Sequence, residues 1–201
     1  RKTQIGKEVL QKNFDRVDKI FVKHYTISMV RNLCDNLTGE ETLFPTTVSY
    51  THEGESLCFS FDCRNSKRFS AYLSDNDPLY KGDVAEVFIC TGDDTTRYFE
   101  IEVAPNGAVF FASVYNDGKS TSLEFLERTF TAEVFPTERG YRVNLQIPDA
   151  LLSVIDVKKI RFNAFRIETE GGTPEKNLLA LNPTLCGTFH KPEFFIPWDE
   201  D

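Results

Sequence analysis

Hydrophobic and polar positions alternate along most of the chain from residue 46 onward, the period of a half-buried strand. In Tyr98-Phe-Glu-Ile-Glu-Val103, Phe99, Ile101 and Val103 fall on one face, and Tyr98, Glu100 and Glu102 on the other. The expectation is that Phe99, Ile101 and Val103 are buried and Glu102 is exposed. Just before it, Asp83-Val-Ala-Glu-Val-Phe-Ile89 places Glu86 among apolar residues, where an unpaired carboxylate is costly. Such a sheet has one oily face for a core and one face rich in acids and tyrosine, a surface suited to sugars.

The same reading predicts strands over 46–52, 55–63, 83–91, 97–104, 108–115, 125–135, 141–147, 159–168 and 178–181. Turn chemistry separates them: Glu53-Gly54, Gly92-Asp-Asp94, Asn106-Gly107, Asn116-Asp-Gly118, Arg139-Gly140 and Gly171-Gly172. Asn106-Gly107 between two alternating runs is a strong hairpin signal. A short helix is predicted over 148–154, with Pro148 at its start and Leu151, Leu152 and Ile155 inward. Residues 1–17 read as a tail or short helix, 18–27 as a further strand, and 32–41 as a loop carrying the formal glycosylation sequon Asn36-Leu-Thr38. Many short strands with Gly-rich turns predict an all-β, antiparallel β-sandwich of the jelly-roll kind, one domain over 18–201.

Composition supports this class. Eighteen Phe stand against one Met and one Trp, and aromatic residues favour pleated, half-buried surfaces. The net charge of −8 excludes the basic footprint that nucleic acid requires, and argues against an anionic membrane surface. No apolar run approaches the roughly 20 residues of a membrane-spanning helix. Five cysteines, an odd number without a CxxC pair, point away from a disulfide framework or a zinc site. The sequence starts at Arg1 rather than Met, which leaves room for a trimmed signal; the expected location is secreted, periplasmic or at the cell surface.

Several motifs in order resemble the family 9 carbohydrate-binding module and its relatives. They are Asp77-Pro-Leu-Tyr-Lys-Gly-Asp83, Glu86-Val-Phe88, Tyr98-Phe-Glu100, Pro105-Asn-Gly107, the run Tyr141 to Pro148, Arg161-Phe-Asn-Ala-Phe-Arg166, Asn182-Pro-Thr184 and Phe189-His-Lys-Pro-Glu-Phe194. The likeness covers residues 44–197. It implies a β-sandwich that binds carbohydrate non-catalytically, often with structural calcium, and many relatives with this pattern are bacterial. Well-known members clamp a sugar between two Trp rings. This chain offers only Trp198, and Arg161 stands where many relatives place a Trp.

The candidate ligand-binding residues are Glu86, Tyr98, Glu100, Arg142, Asn144, Gln146, Arg161, Asn163 and Arg166. The carboxylates of Glu86, Glu100 and also Glu102 can accept strong hydrogen bonds from hydroxyls, and Arg142, Asn144 and Gln146 share one strand face. The plainer reading is a solvated sheet face, with Glu86 in an ion pair to Arg161 or Arg166. Those two arginines have opposite parity, so only one can line a given site. Tyr72, Tyr80, Tyr98, Tyr115 and Trp198 are the candidate stacking rings. Asp75, Asp77 and Asp83 offer hard oxygens for calcium, although Leu79 and Tyr80 break an EF-hand reading. His190 after Cys186 lacks the setting of a catalytic pair, and no nucleotide or hydrolase motif occurs. The leading reading is therefore a non-catalytic carbohydrate binder. Its rivals are a glycoside-active enzyme using Glu86 and Glu100, a structural or partner-binding sandwich, and haem ligation through His or Met29.

Overall fold

The structure is a computed structural model and describes residues 29–198. The tail expected over 1–17 and the strand expected over 18–27 lie outside the described residues. Two antiparallel sheets pack face to face. The first runs β1 (Met29–Asn32), β3 (Thr46–His52), β4 (Ser56–Arg64), β10 (Gly140–Pro148), β9 (Thr131–Thr137). The second runs β2 (Cys34–Asp35), β12 (Asn177–Ala180), β11 (Arg161–Glu168), β5 (Val84–Cys90), β6 (Arg97–Val103), β7 (Val109–Asn116), β8 (Thr121–Phe125). A short β13 (Ile196–Pro197) pairs with the start of β11. Among the described residues, no helix is long and apolar enough to cross a membrane.

The alternating pattern determines what each sheet turns inward. In the first sheet Val48, Tyr50, Leu57, Phe59, Phe61, Val143 and Leu145 face the second, while Ser60, Arg142, Asn144 and Gln146 face outward. The second sheet meets them with Val87, Ile89, Ile101, Val103, Phe111, Phe162 and Ala164. Asn106-Gly107 makes the β6–β7 hairpin as expected. Gly107 takes a positive φ of 89° that a side chain would strain, and Asn106 Oδ1 accepts the Ala108 N–H at 3.1 Å.

The middle of the second sheet, β11, β5, β6 and β7, is largely buried on both faces, which the alternation did not predict. Its outer face carries Phe88, Tyr98, Phe110 and Phe165, and it is roofed by Leu79, Phe189 and Phe195 from the segments before β5 and before β13. Every residue of β5 is buried in consequence. The expected exposure of Glu102 is therefore wrong: it is 2% exposed, while Phe99 is only partly buried. The parity of β6 was read correctly, and the covering layer came from distant sequence.

Three local expectations are also corrected. The 148–154 segment is not a helix. Pro148 ends β10, Leu151 and Leu152 donate to Pro148 and Asp149 carbonyls in successive turns, and Ser153 breaks the run at φ 54°. Leu152 is buried, but Ile155 is 96% exposed. The 125–135 run is two strands in different sheets, β8 and β9, because the chain crosses between sheets there with Phe130 packed on Phe111. The 32–41 loop contains β2. Asn36 within it is fully buried and donates to Thr184 Oγ1 and the Cys186 carbonyl, so the folded chain offers no sequon amide.

Candidate functional site

The β5–β6 register places Glu86 directly opposite Glu102 and Phe88 opposite Glu100. Glu100 and Glu102 are two apart on one strand, so all three carboxylates project from the same outer face of the second sheet. One oxygen from each lies within 4.8 Å of the others. Glu86, Glu100 and Glu102 are 2%, 5% and 2% exposed, and Glu86 Oε1, Glu100 Oε2 and Glu102 Oε2 have no hydrogen-bond partner. Buried carboxylate oxygens without donors are rare in folded proteins and call for a physical explanation.

The three glutamates lie on the floor of a cavity of about 490 Å³. Phe88, Phe110, Phe125 and Phe189 contribute aromatic wall, and Tyr80, Lys176 and His190 complete the rim. Phe125 and Tyr80 are half exposed, whereas Phe110 and Phe189 are buried. Lys176 gives its Nζ to the Tyr80 carbonyl at 2.7 Å and sits 4.9 Å from the centre of the Tyr80 ring. Beneath the wall, Tyr98 Oη bonds His190 Nδ1 at 2.8 Å, and Asn116 Nδ2 donates to the His190 carbonyl at 3.0 Å. That pair fixes the His190 segment against the sheet.

Burial dominates the electrostatics. It pushes Glu86 well above the usual carboxylate range, with the nearby Glu100 adding to the rise and Lys176 opposing it. Burial raises Glu100 to about 7, against a hydrogen bond from Glu102. Glu102 is also held well above its ordinary value, by burial first and then by the charges of Glu86 and Glu100, with the Tyr80 backbone N–H opposing. Burial lowers His190 and lifts Tyr98 to about 12.

The predicted residues do not share one site. Glu86 and Glu100 belong to this cavity, and Glu102 joins them. Its shared parity with Glu100 was the signal for it. Tyr98 lies below the cavity, 2% exposed and stacked on Phe88, so it supports the wall rather than facing a guest. Arg142, Asn144 and Gln146 lie on the first sheet, on the opposite outer face of the sandwich. Asn144 and Gln146 line a shallow polar groove of about 380 Å³ with Ser49, Thr51 and Ser60, and Ser60 Oγ donates to Asn144 Oδ1 at 2.8 Å.

Arg166 is fully buried between the sheets. It donates to Thr46 Oγ1, to the Phe44 and Arg64 carbonyls, and to Glu168 Oε2 at 2.5 Å. Its ion-pair partner is thus Glu168, not Glu86. Arg161 is exposed at the far end of β11, beside Lys159 and Asp93. Asn163 is buried and ties Asn182 and Phe194 through its Nδ2 and Oδ1. Trp198 is 4% exposed, packed on Tyr50, Phe59 and Phe162, and cannot stack on a ligand.

The three aspartates each serve the local backbone. Asp75 accepts the Val109 N–H, Asp77 the Ser74 N–H, and Asp83 the Phe69 and Thr169 N–H groups plus two hydroxyls. Among the described residues, the acidic oxygens that converge are those of Glu86, Glu100 and Glu102. The wall and rim residues Tyr80, Phe125, Phe189 and Lys176 come from four separate segments; Tyr80 was a candidate stacking ring and Phe189 stood in a family motif, while Phe125 and Lys176 carried no signal.

No model of a known protein family matches the chain. Its fold is similar to that of a candidate carbohydrate-binding protein from Bacteroides uniformis, with a TM-score of 0.68 and 14% identity over 84% of each chain. It is also similar to a family 9 carbohydrate-binding module from Caldicellulosiruptor kristjanssonii, determined with cellotriose. There the TM-score is 0.59 and the identity 13%, over 86% of this chain and 82% of that one. The fold is therefore a CBM9-like β-sandwich. A curated relative, described as an extracellular protein of Arthroderma benhamiae, is 32% identical over 180 residues, covering 80% of this chain and 81% of its own. At that identity and coverage, the chain belongs to the family of this Arthroderma benhamiae extracellular protein.

Proposed function

We propose that the protein binds a mono- or oligosaccharide without cleaving it, in the cavity above β5 and β6, and that it acts outside the cell. The observation that carries this reading is the floor of three buried carboxylates with partnerless oxygens beneath aromatic walls. Sugar hydroxyls supply the donors those oxygens lack, and Phe125 and Tyr80 at the rim offer ring faces to the apolar side of a pyranose. The fold neighbour determined with cellotriose and the extracellular relative support the ligand class and the location. Asn144 and Gln146, on the other sheet, are not part of this cavity.

A glycosidase needs two carboxyl groups flanking the scissile bond, one as acid and one as nucleophile or base. The oxygens of Glu86 and Glu100, within 4.8 Å of each other, are spaced nearly as a retaining pair is. Binding is preferred to hydrolysis because the fold neighbours are a candidate carbohydrate-binding protein and a carbohydrate-binding module. Affinity should be modest, with Kd between about 10 μM and 1 mM, because hydroxyls must lose water to be gripped.

Calorimetry against a glycan set that includes cello-oligosaccharides tests the proposal. Phe125→Ala should weaken binding about tenfold, the size of one lost aromatic contact. Absence of heat across the whole set would sink the carbohydrate reading. Release of chromophore from an aryl glycoside, abolished by Glu86→Gln or Glu100→Gln, would overturn the non-catalytic one.

A further inference from the structure

We infer that Glu86, Glu100 and Glu102 hold a divalent cation of the hard, oxygen-loving kind, calcium foremost, on the floor of the second-sheet cavity. Two oxygens bound to one calcium at about 2.3–2.6 Å stand at most roughly 5 Å apart. The three carboxylate oxygens, all within 4.8 Å of one another, converge to about that spacing. Proximity alone would carry little. The second observation is that each of the three side chains is at least nine-tenths buried and leaves one oxygen with no partner at all.

The surroundings compensate the trio only in part. Glu86 and Glu102 are directly opposed across an antiparallel pair, where like charges destabilise a sheet. Lys176 reaches the cavity and its charge favours the ionised Glu86, but its Nζ hydrogen bond goes to the Tyr80 carbonyl, and one cation faces three carboxyls. Arg166 is turned to the other face of the sheet and paired with Glu168. A sequence that places three acids on one buried patch and directs its arginine elsewhere suits a guest of positive charge. An all-oxygen donor set selects calcium, magnesium or manganese over zinc or copper.

Three protein oxygens fill only part of the six to eight positions that calcium takes. The rest face the cavity, open to water or to vicinal hydroxyls of a sugar. That last consequence, a cation bridging protein and carbohydrate, rests on the proposed function; the cation site does not.

The full chain, stripped with chelator and dialysed, is titrated with calcium chloride by calorimetry and with manganese by electron paramagnetic resonance. One ion per chain is expected, with Kd near or below about 1 mM, the range of extracellular calcium modules. Glu86→Gln and Glu102→Gln should each weaken it at least tenfold, and Asp75→Asn should not. No binding of either metal, or unchanged affinity in both glutamine variants, overturns the site. Should those variants fail to fold, paramagnetic broadening by manganese in the wild-type chain locates the ion. Broadening centred on Phe110 and His190 supports the site, and broadening centred on Ser60 and Asn144 overturns it. Sugar titrations with calcium and with chelator separate the two ideas. Equal sugar affinity in both overturns the bridging role alone, and cation binding without any sugar binding sinks the carbohydrate reading alone.

Discussion

At the scale of single residues, two of the candidates, the ring of Trp198 and the guanidinium of Arg166, are structural. Trp198 makes tilted and edge contacts with Tyr50, Phe59 and Phe162 at centroid distances of 5.0, 5.5 and 5.2 Å. Trp198→Ala should therefore cost about 3–5 kcal/mol in urea denaturation, with ligand affinity unchanged below the transition. A loss under about 1 kcal/mol would show that the cluster does not depend on it. Arg166 is the inter-sheet counterpart, a buried guanidinium joining Thr46, Phe44, Arg64 and Glu168. Arg166→Met leaves Glu168 buried without its cation and should cost about 3–5 kcal/mol. Exposed Arg161→Ala should cost under about 0.5 kcal/mol. The sequence showed that these arginines point to opposite faces. It could not show which one meets the other sheet, because that depends on the partner strands.

At the scale of elements, strand positions and parity were legible, because a period of two with Gly-rich breaks is a local signal. Seven runs, 46–52, 55–63, 83–91, 97–104, 108–115, 141–147 and 178–181, match β3, β4, β5, β6, β7, β10 and β12 to within a residue or so at each end. What failed was non-local. Glu102 was read as exposed because its face is polar, yet distant segments containing Leu79, Phe189 and Phe195 roof that face. The helix read over 148–154 rested on Pro148 and three spaced apolar residues, and that spacing also fits turns that bury Leu152 alone. At Arg139-Gly140 the turn signal carried a packing requirement besides. A Cβ on Gly140 would overlap the Cys63 carbonyl oxygen at the β4–β10 pairing. Gly140→Ala should therefore destabilise the chain by more than the roughly 1 kcal/mol typical of substitutions. Thermal unfolding that stays at the wild-type midpoint would show that the two strands can part there at no cost.

At the scale of the whole molecule, the sandwich separates what the sequence seemed to place together. Arg142, Asn144 and Gln146 looked like the donors that would complete Glu86 and Glu100. Strand parity put each set on an outer face, but only the sheet order shows that the faces are opposite. β10 lies in the first sheet, and β5 and β6 in the second. Two sheets stacked about 10 Å apart, each with its own outward side chains, hold the two sets too far apart to grip one sugar ring. The sites should then be energetically independent, since changes at distant positions without shared partners add. An Arg142→Ala, Asn144→Ala, Gln146→Ala triple variant should keep the sugar affinity of the second-sheet cavity within about twofold, and combining it with Phe125→Ala should reproduce the Phe125→Ala loss alone. Calorimetry on the four proteins measures this directly. A large loss in the triple variant, with Phe125→Ala silent, would move the carbohydrate site to the polar groove of the first sheet. There hydroxyl and amide groups, with the carboxylates of Glu53 and Glu133, would grip the sugar, and the buried glutamates would be left to a cation.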